Sequence, residues 1–184
     1  PEGENAGPVF PPLPPPANAQ RPSVPAAGSS CENELLPVRQ GASWVYYNAG
    51  GPNGDFAYTD TITETTSNGF VLTSQFPSLT LSQAWHCSPE GLIAQQLGGG
   101  TTASVSMQNM IVDFKTLHVS GVSIPVQITP GMTWQYEISL EGSVAMPGEE
   151  TQSPGMFSLT MQELGKETVT VPAGTFDAVK IQAT

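Results

Sequence analysis

The chain has 184 residues, 38% of them apolar and only 11% charged, and its formal charge of −11 leaves five basic residues, Arg21, Arg39, Lys115, Lys166 and Lys180. So few cations cannot build a patch that tracks a phosphate backbone, which excludes a nucleic-acid partner. No run reaches the roughly 18 to 20 apolar residues of a membrane-spanning helix, and 19 Gly with 18 Pro favour strands joined by tight turns over long helices.

Residues 1–30 hold nine of the prolines. At that density a chain takes up extended polyproline II, rising about 3.1 Å per residue, so the segment reads as a tether that lifts an exported domain off a membrane or wall. Its most apolar stretch, Phe10, Pro11, Pro12, Leu13, Pro14, Pro15 and Pro16, is the expected arm for contacting a partner. No basic and apolar leader opens the sequence, so an export signal or membrane anchor is expected to have been removed or to lie upstream.

Residues 31–184 form the folded part. A bridge between Cys31 and Cys87 would tie its start to a later strand, and the chain-entropy relation assigns such a loop about 4 kcal/mol. The alternative is two reduced, buried thiols in a cytosolic protein. Next comes "LPVRQGASWVYY", a Gly turn followed by a strand. "GPNGDFAYTD" offers Asn53, Asp55 and Asp60 to a cation but lacks the spacing of a calcium loop, and reads as a solvated acidic loop. Ser67-Asn68-Gly69, between two Thr-rich strands, predicts a hairpin of the primed type. "LTLSQAWHC" alternates, with Leu79, Leu81, Trp85 and Cys87 on one face and polar Gln83 interrupting it.

"GGGTTAS" lacks the Lys and the following helix of a phosphate loop. Residues 106–118 are readable as helix or strand. "WQYEISL" sets Trp134, Tyr136, Ile138 and Leu140 on one face, and "FSLTMQE" does the same with Phe157, Leu159 and Met161. Between them "MPGEETQSPG" reads as a mobile acidic hairpin tip or an acidic contact surface. Pro172-Ala173-Gly174 joins the last two strands. The predicted fold is all-β, a curved antiparallel meander sheet or half-barrel with an extended Pro-rich N-terminal arm.

One pattern is written twice. Gly41-x-x-Trp44-x-Tyr46 and Gly131-x-x-Trp134-x-Tyr136 each follow a Pro-containing approach, and in each the Trp and Tyr fall on the same face of a strand. Either two similar half-units, 32–121 and 122–184, open on an aromatic strand, or the loose pattern recurs by coincidence. "LPVRQGASWVYY", "AWHCSPEGL" and above all "VTVPAGTFDAVKI" resemble segments of the TapB-like group of exported bacterial β-proteins, many of them lipoproteins or envelope proteins of unknown function. The resemblance implies a strongly curved antiparallel sheet and brings no catalytic residues. In that group a further strand and a Trp-Tyr ending follow the closing hairpin, so a truncated C-terminus is expected after Thr184.

The chemistry that remains is sparse. A nucleophilic triad needs a Ser or Cys near a His and an acid; His86 and His118 are the only histidines, and no Gly-x-Ser-x-Gly elbow occurs. His86, Cys87 and Glu90 are close in sequence, but a bridged Cys87 is no ligand and neighbours on a strand point to opposite faces. His118, between Leu117 and Val119, reads as a half-buried ring. No catalytic residue, metal or cofactor is therefore expected. The expected function is a non-catalytic, extracytoplasmic bacterial module, a subunit of a cell-surface or envelope assembly that contacts other envelope proteins. The alternative is a carrier whose concave face, lined by Trp44, Tyr46, Trp85, Trp134 and Tyr136, holds an apolar, lipid-like ligand; core packing is the competing role for all five aromatics.

Overall fold

The computed structural model describes residues 31–48, 55–97, 111–146, 149–171 and 173–184, with side chains at all of these except 111–114, 143–146 and 149–153. The Phe10–Pro16 arm, Asn53, the "GGGTTAS" segment and Pro172 lie outside the described residues. Ten strands follow in order: β1 (Ser43–Asn48), β2 (Phe56–Thr65), β3 (Gly69–Gln75), β4 (Thr80–Ser88), β5 (Gly91–Ala94), β6 (Ile111–Gly121), β7 (Ile124–Pro125), β8 (Thr133–Met146), β9 (Glu149–Val171) and β10 (Gly174–Ala183). They make two antiparallel sheets. Sheet A, ordered β1-β2-β3-β4-β5-β7, curls into a half-barrel; sheet B is ordered β10-β9-β8-β6. The described residues contain no helix, and the segment readable as helix or strand is β6 from Ile111 onward.

Two apolar clusters hold the sheets. The first lies inside sheet A, where Ile62, Phe70, Leu72 and Leu92 gather around the Cys31–Cys87 disulfide, with Val38, Trp44 and Ile124 packed on it. The second joins the sheets: Tyr136, Ile138, Leu140 and Met161 of sheet B meet Ala94 of β5. Trp85 packs against both clusters and stacks on Phe70 at 5.5 Å. The alternation read in β4, β8 and β9 is present, and Gln83, which breaks the apolar face of β4, is buried there. Its amide donates to Gln96 O (2.6 Å) and its Oε1 accepts from Trp85 Nε1 (2.9 Å), which removes the desolvation penalty of a bare amide.

The repeated sequence is a repeated structure. Ala42 N–H donates to Arg39 O (3.0 Å) and Met132 N–H to Thr129 O (3.0 Å), closing the same four-residue turn. Gly41 (φ +81°) and Gly131 (φ +74°) occupy its third position with the left-handed backbone of a type II turn, and Pro130 supplies the favoured second residue in the later copy. Ile62 N–H then donates to Ala42 O (2.9 Å), as Glu163 N–H does to Met132 O (2.9 Å). From there β1 runs along β2 and β8 along β9, with Trp44 opposite Asp60 and Trp134 opposite Met161. Each second strand carries a bulge one residue beyond the turn contact: the pairing skips Thr63 in β2 and Leu164 in β9. Finally Thr59 faces Gln75 in β3, and Thr160 exchanges both backbone bonds with Thr184 (2.9 and 3.0 Å). Turn, register and bulge coincide, so β1-β2-β3 and β8-β9-β10 are one three-strand unit built twice, joined in sequence by strands that the sheets share out. β6 enters sheet B and β7 enters sheet A, so the sheets do not divide at residue 121.

Two local expectations are corrected. The Ser67-Asn68 turn is not of a primed type, because neither residue has a positive φ; Thr66 instead ties the loop by donating its N–H (2.8 Å) and its hydroxyl (3.1 Å) to Gly69 O. His118 is exposed rather than half-buried: a register shift between Thr116 and His118 interrupts the ladder, and both Leu117 and His118 lie open to solvent.

Candidate functional site

Alternation places Trp44, Tyr46 and Asn48 of β1 beside Asp60, Tyr58 and Phe56 of β2, and the next register brings Ser74 of β3 beside Asp60. This is the inner face of sheet A, at the end away from the disulfide. Three rings stand there in a row: Tyr46 stacks on Tyr58 and Tyr58 on Phe76, each at 5.0 Å between centroids, with interplanar angles of 19° and 22°. Phe56 leans on the row, 6.2 Å from Tyr58 and 6.1 Å from Phe76. Both faces of Tyr58 are thereby covered. Tyr46 belongs to the edge strand and is 41% exposed, so its outer side is open.

Beneath the row lies Asp60, only 8% exposed. The Ser74 hydroxyl donates to its carboxylate, yet Oδ1 has no hydrogen-bond partner. Burial pushes the Asp60 pKa up, the Ser74 bond opposing it in part. Burial, together with the Asp60 charge, pushes the Tyr46 phenol up and raises Tyr58 to about 12. No cation answers the acid: the ion pairs among the described residues are Arg39–Glu32 and Lys180–Glu167, both elsewhere. A buried carboxylate with an idle oxygen beside an aromatic row is the most unusual chemistry in the described structure.

The five aromatics read from the sequence separate. Trp44 packs on the disulfide cluster, Trp85 on both clusters, and Trp134 and Tyr136 on the cluster between the sheets; Tyr46 alone stands in the open row. Tyr136 is 5% exposed and donates its hydroxyl to Ala94 O at 2.8 Å, while Trp134 Nε1 donates to Ser123 O at 3.4 Å. In the second copy both motif aromatics thus pack on the cluster between the sheets, whereas in the first Trp44 packs inside sheet A and only Tyr46 stands in the open row. Tyr58 and Asp60 were missed in the sequence, where Asp60 read as part of a solvated loop. The signal was present as the alternation Tyr58, Asp60, Ile62, and a carboxylate on an apolar strand face was the feature to notice.

The remaining groups do not assemble. Cys87 is bonded to Cys31, His86 is exposed on the outer face, and Glu90 lies in the turn after β4. Tyr47 donates its hydroxyl to Asp55 at 3.2 Å. Among the described residues no three His, Cys, Asp or Glu come together in a set able to hold a metal. Comparison of the chain with protein-family models, with curated proteins and with solved structures returned no match.

Proposed function

We propose that the protein is a non-catalytic interaction module that accepts a β-strand from a partner subunit along the free edge of β10. The observation that carries this reading is the inequality between the two copies of the repeated unit. In the first copy the third strand, β3, is covered along its second edge by β4. In the second copy β10 stands in the place of β3 and pairs with β9 alone among the described residues. The side chains register the difference: Leu72 is 7% exposed, whereas Ile181, its counterpart opposite Glu163, is 41% exposed. Phe176, Leu164 and Val171 are exposed on the same hairpin. An edge with unmet backbone groups and uncovered apolar side chains is the substrate of β-augmentation.

The disulfide fits an oxidising environment, and the resemblance of the closing hairpin to TapB-like exported proteins supports an extracytoplasmic, bacterial setting among envelope proteins. A lipid carrier is less well supported, because four of the five aromatics assigned to its pocket are engaged in packing. Thr184 exchanges both backbone bonds with Thr160, so strand alternation turns the N–H of Asp177 toward the free edge. Asp177→Pro therefore blocks strand addition without removing a backbone bond to β9, losing only the exposed side-chain bond that Thr168 Oγ1 donates to Asp177 Oδ1 (3.2 Å). Native mass spectrometry of protein gently extracted from its source should give a fixed-ratio complex that the Asp177→Pro variant fails to form while keeping its own thermal midpoint. A wild-type protein that emerges as a bare monomer rules this reading out.

A further inference from the structure

We infer that the Tyr46–Tyr58–Phe76 row and Asp60 form a binding site for a small organic ammonium ion, with the ammonium on Asp60 Oδ1 and the carbon chain along the outer side of Tyr46. The inference is independent of the strand-accepting edge, which lies in the other sheet. Three features of the site select the ligand. Among the described residues Asp60 is a carboxylate without a countercharge, so the ligand is cationic. Its Oδ1 lacks a donor, so the cation must carry an N–H, which sets primary ammonium above quaternary ammonium. The stacked rings offer π-faces and edges rather than hydrogen-bond arrays, so the rest of the ligand is apolar, held by cation–π attraction near the nitrogen and by burial beyond it.

Access runs past Tyr46. Tyr58 is fixed between two rings, but Tyr46 is the outermost member, on an edge strand, and is the ring that must swing aside for a ligand to reach the carboxylate. Ser74, 1% exposed and bonded to the other side of Asp60, holds the carboxylate in place during that motion.

The test uses the wild-type protein and three probes that share a four- or five-carbon chain, n-butylammonium, trimethylbutylammonium and 1-pentanol, each titrated while the tyrosine ring signals are followed by NMR. The expected result is saturable binding of n-butylammonium, with the other two weaker by about tenfold or more, the effect of one charge-assisted hydrogen bond. In Asp60→Asn, n-butylammonium should fall to the level of the alcohol, while Tyr46→Ala, which keeps the carboxylate, should weaken both butyl cations alike. Equal binding of alcohol and ammonium would show an apolar patch and overturn the inference. So would unchanged affinity in Asp60→Asn, or no saturation by wild type. The probe series needs no variant, so a substitution that fails to fold does not blunt the test.

Discussion

Asp60 and Tyr136 show how one buried polar atom reports on its surroundings. Burial raises the pKa of Asp60 above its usual value of 3.8, so the folded state holds this proton more tightly than the unfolded chain does. The stability contributed by the neutral acid is fully present below that usual value and is lost as pH rises through the folded pKa; at neutral pH the ionised group is a liability. Asp60→Asn is therefore expected to raise the urea midpoint at pH 7, and to flatten the mildly acidic part of the stability profile, in parallel denaturation series. Tyr136 behaves in the alkaline range. Burial pushes its phenol to about 12, so the neutral form is stabilised and its contribution disappears as pH climbs from 10 through that value. Tyr136→Phe removes the bond to Ala94 O and should cost about 1 kcal/mol at pH 7. It should also make unfolding less sensitive to alkali, as equilibrium melts at pH 7 and pH 11 would show.

At the scale of elements, the twice-built unit makes matched predictions. A Cβ at Gly41 or Gly131 meets no atom within 4 Å, so Ala at either position suffers only from the left-handed backbone. Each substitution should lower stability by roughly 1–2 kcal/mol, and by similar amounts, in urea titrations. The copies diverge at the residue behind the turn. Gly41 N–H donates to the backbone O of Ile62 at 2.8 Å, whereas Gly131 N–H donates to the side-chain Oε2 of Glu163 at 2.7 Å. Glu163→Leu leaves that N–H without a partner and should cost about 1–3 kcal/mol, while Glu163→Gln, which keeps an acceptor, should cost much less. The strands and both Gly turns were legible in the sequence because period two and a Gly before a Trp are local signals. The bulges at Thr63 and Leu164 were not, since an extra residue in a ladder is defined only by the partner strand. Nor was the free edge of β10: "TFDAVKIQ" reads as an ordinary strand, and only comparison of its role with that of β3 shows that it lacks a second neighbour among the described residues.

For the whole molecule the question is whether two sheets with separate clusters unfold as one. The Cys31–Cys87 bridge lies in the cluster of sheet A, and its loop-closure effect is about 4 kcal/mol. Were the sheets independent, removing it would loosen sheet A and leave sheet B untouched. Three links argue against independence. Trp85 packs on both clusters, Tyr136 donates its hydroxyl to Ala94 O, and Ala94 N–H donates to Ser123 Oγ at 3.0 Å in the segment between β6 and β7. β6 and β7 bind the sheets covalently as well, because consecutive strands belong to different sheets. The Cys31→Ser/Cys87→Ser double variant should therefore lose about 4 kcal/mol in a single cooperative transition. Near-ultraviolet signals from the tryptophans and far-ultraviolet signals from the strands should share one lowered midpoint. Two separated midpoints, the lower sensitive to the bridge and the higher not, would mean that the clasp of Tyr136 on Ala94 is too weak to couple the units, and that the twice-built fold behaves as two small domains in contact.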